Sequence, residues 1–259
     1  MTIPPVFSLD DVTSSVIEDL RDASATYCGI DYTSAFDDLI MVPERAEMIA
    51  GFIAGNIASI NLAESLRKWL LKPWSSTRSL GNGRMEAVGD ALGNIRATVA
   101  EIPPDLSLEH ADRVMLARMV EVFKHLDDCA GVGPTIASKI LAPLRPALFP
   151  IWDNPIAKAY GFALNAAGYH QYLNVTQAIA RKARGFWADP DVRASVCAIA
   201  HKARGFWQSD VPLEQYLKPE RRRWTAPLAK VLDEWNWIRI TKKPKDLAIP
   251  SSLTSPPRL

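Results

Sequence analysis

Between Val122 and Leu141 the chain reads as two short apolar-striped stretches separated by a glycine-rich bend, and no other segment leaves it fewer ways to fold. Val122, Phe123 and Leu126 recur at helical spacing before the bend, and Ile136, Ala137, Ile140 and Leu141 after it. Gly131-Val132-Gly133 lies between, and glycine permits both positive φ and close approach of another backbone. Pro134 suits the first turn of the second helix, where a missing N–H costs little. The expected unit is a helical hairpin whose outward-facing amides can hold an anion. A nucleic-acid phosphate is the natural ligand of such donors, and that contact positions a duplex without reading its sequence. A plain helical hairpin with a glycine turn uses the same residues without any ligand.

The remainder of the chain keeps the helical rhythm. No sustained period-two alternation appears, so the expected class is all-α, a two-lobed helical fold. A first helix is predicted from about Asp10 to Asp22, with Val12, Val16, Ile17 and Leu20 as its stripe. Tyr27 to Tyr32 reads as a loop, Ser34 to Met41 as a second helix led by Asp37, and Pro43 as the start of a third. Asn56 to Leu71 continues in helical rhythm, a turn-rich loop spans Pro73 to Gly83, and Met85 to Ala100 is helical up to Ile102-Pro-Pro. Ser107 and His110 open the next helix, which runs to the hairpin. Ala178 to Trp187 recurs at Ala198 to Trp207, differing only at Arg181/His201, and each copy ends a helix at Gly185 or Gly205. The repeat is either a pair of basic edges for a DNA backbone or a duplicated unit whose Phe-Trp packs in the core. Leu228 to Ile240 is an apolar closing helix with Trp235 and Trp237 in the core, and residues 242–259 are rich in Pro, Ser and Lys, as a loose tail would be.

The net charge of +1 conceals an asymmetry. Residues 1–129 hold 11 Lys and Arg against 20 Asp and Glu, whereas residues 130–259 hold 19 against 9. The second half is therefore the expected face for a polyanion. Expected boundaries follow: an acidic helical region over 1–111, the hairpin and acid segment over 112–168, a basic helical region over 169–241, and the tail. Cys28, Cys129 and Cys197 are too scattered for a disulfide framework, which points to a reducing, cytoplasmic setting. No apolar run reaches the roughly 18 residues that a membrane span requires, and Met1 to Phe7 has no secretory pattern. His110, His125, His170 and His201 lack metal-ligand spacing, so no metal is expected.

Downstream of the hairpin, Phe149-Pro150-Ile151-Trp152-Asp153-Asn154-Pro155 sets one carboxylate ahead of another helix. Asp153 before Asn-Pro is a good helix N-cap. Asp153 follows Thr135 by eighteen positions. Together, Gly131-Val132-Gly133, Thr135 and Asp153 resemble the helix-hairpin-helix DNA glycosylases, in which a Gly-hydrophobic-Gly hairpin precedes an essential Asp at this separation. The likeness covers about residues 112–168. Thr135 stands where bifunctional members keep a catalytic lysine. The family's Thr-His-Val-x-Arg after the acid is replaced by Asn154-Pro155-Ile156-Ala157-Lys158. The chain is also similar to a group of uncharacterised bacterial proteins with the same hairpin and an Arg-Pro before the acid, here Arg145-Pro146.

That resemblance implies a monofunctional glycosylase acting as a monomer on double-stranded DNA without a cofactor; the iron–sulfur cluster that some members hold on four closely spaced cysteines is excluded by three scattered ones. It would excise a damaged base in repair or a modified base in foreign DNA, such as phage DNA. Asp153 would be catalytic. Gly131, Val132, Gly133, Thr135, Lys139 and Lys158 would meet DNA, and the basic half adds Arg184, Arg204, Arg221 and Arg222, with Arg221-Arg-Arg-Trp224 offering either phosphate contact and stacking or a solvated charge run. Lys139 is also a candidate substitute for the absent lysine. Trp152, Tyr160, Tyr27, Tyr32 and Trp74 are the candidate base-pocket or wedge aromatics, and a place in the core is the alternative for each. The alternatives are a DNA-binding module without chemistry and an RNA-directed or protein-interaction role.

Overall fold

The computed structural model describes residues 14–30, 43–68, 84–186, 190–192, 194 and 227–241. Among these, every regular element is helical. In chain order they are α1 (Ser14–Ile30), α2 (Pro43–Ile53), α3 (Ser59–Leu66), α4 (Arg84–Ala100), a 3-10 turn (Leu108–His110), α5 (Arg113–Asp127), α6 (Pro134–Leu144), α7 (Asn154–Tyr160), α8 (Ala166–Lys182), α9 (Leu228–Asn236) and a closing π turn (Trp237–Thr241). No helix among the described residues is long and apolar enough to cross a membrane.

The chain divides into two compact units, and the division is not sequential. The larger comprises Thr33–Ser107 and Ala111–Tyr172; the other comprises Met1–Tyr32, Leu108–His110 and Leu173–Leu259. The regions expected over 1–111, 112–168 and 169–241 do not coincide with these units. The reason is packing: α4 lies against both α3 and α5, which ties the acidic region to the hairpin.

In the larger unit, Leu62, Leu66, Val88, Leu92, Ile95 and Val99 join Leu116, Met119, Phe123 and Leu126 in the core. Burying each such side chain contributes about 1.5–3 kcal/mol. α5 begins at Arg113 because Asp112 caps it, its Oδ1 accepting from the Met115 amide at 2.7 Å. The helix expected from Ser107 is thus a single 3-10 turn followed by a separately capped helix. The helix expected from Asn56 to Leu71 begins only at Ser59, behind the Gly55 turn at φ +84°. Arg145 is buried just after α6. Its guanidinium donates to the carbonyls of Leu144, Val99 and Ile102, each at 3.1 Å, so it satisfies the open end of α4.

In the other unit, α1 packs on α9. Tyr27 is helical rather than part of a loop, because α1 runs to Ile30. It is buried against Lys230, whose Nζ lies 3.3 Å from the Tyr27 hydroxyl and 3.7 Å from Glu234 Oε1. Ser24 Oγ donates to Glu234 Oε2 at 2.9 Å. Asp19 accepts from Trp235 Nε1 at 2.7 Å and from the Arg239 guanidinium. The closing helix is therefore pinned by charge as well as apolar area. Trp235 is core as expected, whereas Trp237 is half-buried with its ring edge-on to Tyr27. The first copy of the repeat ends α8 as expected: Ala178, Ile179, Ala183 and Phe186 are buried, Gly185 takes φ +83°, and Arg181, Lys182 and Arg184 are exposed. The second copy, the helix expected over 34–41 and the tail lie outside the described residues.

Candidate functional site

The bend joins α5 to α6 through one left-handed residue. Gly131 has φ +87°, a conformation that a side chain would strain. Gly133 differs from expectation, since its φ of −75° and ψ of 172° suit any residue. A Cβ built on it would meet nothing within 4 Å, so space, not conformation, distinguishes this position. Val132 between them is 1% exposed, and its amide donates to the Cys129 carbonyl at 2.9 Å. Its expected DNA contact is thereby corrected: the side chain faces inward and anchors the turn. Among the described residues, no acceptor meets the amides of Gly131, Gly133 and Thr135. Pro134 occupies the first turn of α6 as expected.

Ser138 ties the acid segment to this hairpin. The residue is fully buried, and the Trp152 amide donates to its hydroxyl at 2.9 Å. The same hydroxyl lies 2.9 Å from the Trp152 carbonyl and 3.1 Å from the Thr135 carbonyl, the two acceptors for its single proton. Asp153 follows at once. It is the N-cap of α7, its Oδ1 accepting from the Ile156 amide at 2.9 Å. Oδ2 meets no donor among the described residues, and the side chain keeps partial exposure. Burial raises the Asp153 carboxyl above the usual carboxylate range, while the Ile156 amide and the nearby Lys139 ammonium pull it back. Lys139 is its counterpart: burial lowers its ammonium below the ordinary lysine value, and Asp153 raises it.

The expected aromatics divide. Trp152 is 0% exposed, packed against Tyr172 with ring centroids 4.6 Å apart, in a cluster that also holds Tyr169 stacked on Phe123 at 4.1 Å. Its ring packs in the core and offers no face to a base. Tyr27 belongs to the other unit and is likewise buried, so both expectations are corrected on the same ground. Tyr160 keeps partial exposure beside Phe162 and Tyr172. Tyr32, Trp74, Arg204, Arg221 and Arg222 lie outside the described residues. Thr135, Lys139, Asp153 and Lys158 are all in the larger unit, with Lys158 exposed in the last turn of α7. Arg184 is exposed and belongs to the other unit.

Residues 77–205 match a family model described as a family of unknown function (DUF6308). The matched stretch takes in α4 to α8, hence the hairpin, Ser138 and Asp153. No curated protein and no solved structure matches the chain.

Ser138 was not among the residues that sequence reasoning selected. A small hydroxyl residue in the Ile136–Leu144 run, apolar apart from it and Lys139, was the available signal, because a buried hydroxyl needs a partner. Among the described residues no cluster of three or more His, Cys, Asp or Glu gathers that could hold a metal.

Proposed function

We propose that this chain is a monofunctional DNA N-glycosylase that excises a damaged or modified base and leaves an abasic site, in repair or against modified foreign DNA. The observation that carries the reading is the state of Asp153. One oxygen is committed to the α7 amide at 2.9 Å and the other has no donor among the described residues, while the residue before it is bonded to the hairpin helix. A carboxylate so held is oriented by its own cap and still has an oxygen for chemistry.

A base inside a duplex is out of reach, so the target nucleotide must be extruded. The amides of Gly131, Gly133 and Thr135 grip a backbone phosphate, and the empty space at Gly133 lets that backbone come close. Asp153 then faces the sugar C1′. Its carboxylate stabilises the oxocarbenium-like transition state and takes a proton from the attacking water. Thr135 has no amine, so no imine forms at that position.

The decisive assay incubates duplexes carrying varied modified bases with the protein and cleaves abasic sites with alkali. Wild type is expected to give product and Asp153→Asn none, because asparagine keeps the cap but loses the charge. The capping bond itself favours a second reading, a DNA-binding module in which Asp153 is only structural. Equal, salt-sensitive DNA binding by both proteins with no product from either selects that reading.

A further inference from the structure

Helix α6 is enclosed almost throughout. Ile136, Ala137, Ser138 and every residue from Ile140 to Leu144 are buried, and beyond the first turn only Lys139 keeps partial exposure. Thr135, half-buried, lies one helical turn before Lys139. The Ser138 hydroxyl is bonded to the Trp152 backbone at 2.9 Å, and Lys139 and Asp153 are the next residues on the two bonded segments. Lys139 thus opens an otherwise sealed helix, on a segment bonded to the one that carries Asp153.

We propose that Lys139 sets which class of base this site releases, favouring bases that are neutral in DNA and rejecting those that already carry a positive charge. The inference rests on the glycosylase reading. When the bond from C1′ to the base nitrogen breaks, its electron pair leaves with the base. A neutral base departs as an anion and needs a proton, which the Lys139 ammonium gives and regains from solvent. The water oxygen bonds to C1′, and its proton goes to Asp153. A cationic N-alkylated purine departs neutral, needs no proton, and is repelled by the ammonium as it enters. Burial of Lys139 lowers its pKa and so makes it the better acid near neutral pH, while Asp153 keeps it charged.

The test uses the full chain under single-turnover conditions. The substrates are duplexes holding one neutral lesion (uracil, hypoxanthine or 8-oxoguanine) or one N7-methylguanine, with rates expressed over the spontaneous rate. Wild type is expected to release neutral lesions preferentially. Lys139→Met should lose about 10²-fold on neutral lesions and keep or gain rate on N7-methylguanine. Lys139→Arg, which stays charged and donates poorly, should lose the neutral lesions and still exclude the cationic one. An equal loss on both classes with Lys139→Met, at unchanged melting temperature, overturns the role of Lys139 and leaves the glycosylase standing. A wild type that prefers N7-methylguanine overturns it as well. A wild type that releases no base at all overturns both.

Discussion

Replacing Ser138 by Ala removes one oxygen from the centre of the larger unit. Ser138 and Trp152 are both 0% exposed, so the Trp152 amide that donates to the hydroxyl at 2.9 Å cannot turn to water instead. A buried donor left without an acceptor costs about 1–3 kcal/mol, and losing the donor to a carbonyl costs about 1 kcal/mol more. Alanine returns up to about 0.5 kcal/mol through its better helix propensity. The balance is a loss of about 1.5–4 kcal/mol. At roughly 2–4 °C per kcal/mol for a chain near this size, the melting temperature should fall by about 3–16 °C. Urea titration followed by circular dichroism should show the same loss at unchanged slope, since the surface exposed on unfolding hardly changes. Hydrogen exchange should accelerate first at the Trp152 and Ile156 amides, the two donors flanking Asp153. A variant as stable as wild type, with both amides still protected, would mean that propensity outweighs the staple and that something else holds the acid segment on α6.

Two further substitutions separate conformation from recognition. Gly131→Ala forces a Cβ onto φ +87° and should cost about 1–2 kcal/mol in a denaturant titration, whereas Gly133→Ala has ordinary dihedrals and open space and should leave stability within about 0.5 kcal/mol. If a phosphate backbone approaches at that point, Gly133→Ala should nevertheless weaken duplex binding in a fluorescence-anisotropy titration; unchanged affinity counts against the hairpin as the grip. Arg145→Ala removes three guanidinium bonds to buried carbonyls and should destabilise by about 3 kcal/mol or more, with no change in the salt slope of DNA binding, because the side chain serves the end of α4.

How far the sequence could be read varies from residue to residue. The hairpin was legible because its signals are local: apolar spacing marks two helices, and a glycine and a proline mark their junction. Asp153 as the cap of α7 was legible for the same reason, since a cap bonds an amide three residues away. Trp152 was misread as a candidate base-pocket wall because an aromatic beside an acid looks the same in sequence whether it faces a cleft or the core. Its neighbours Tyr169 and Tyr172 arrive on a different helix. Val132 was misread in the same way, because a hydrophobic residue in a turn can anchor it or meet a ligand.

By itself, then, the amino-acid order determined the helical class of the described residues, the hairpin and the acid that follows it, all consequences of contacts within a few residues. The tertiary structure decided what depends on residues far apart in the chain. It set Ser138 on the backbone of Trp152, turned Arg145 onto α4, put Lys139 within electrostatic reach of Asp153, and packed α1 on α9. The physical reason is that a hydroxyl, a guanidinium or an ammonium carries no mark of its partner. Only the burial that forbids water obliges it to find one.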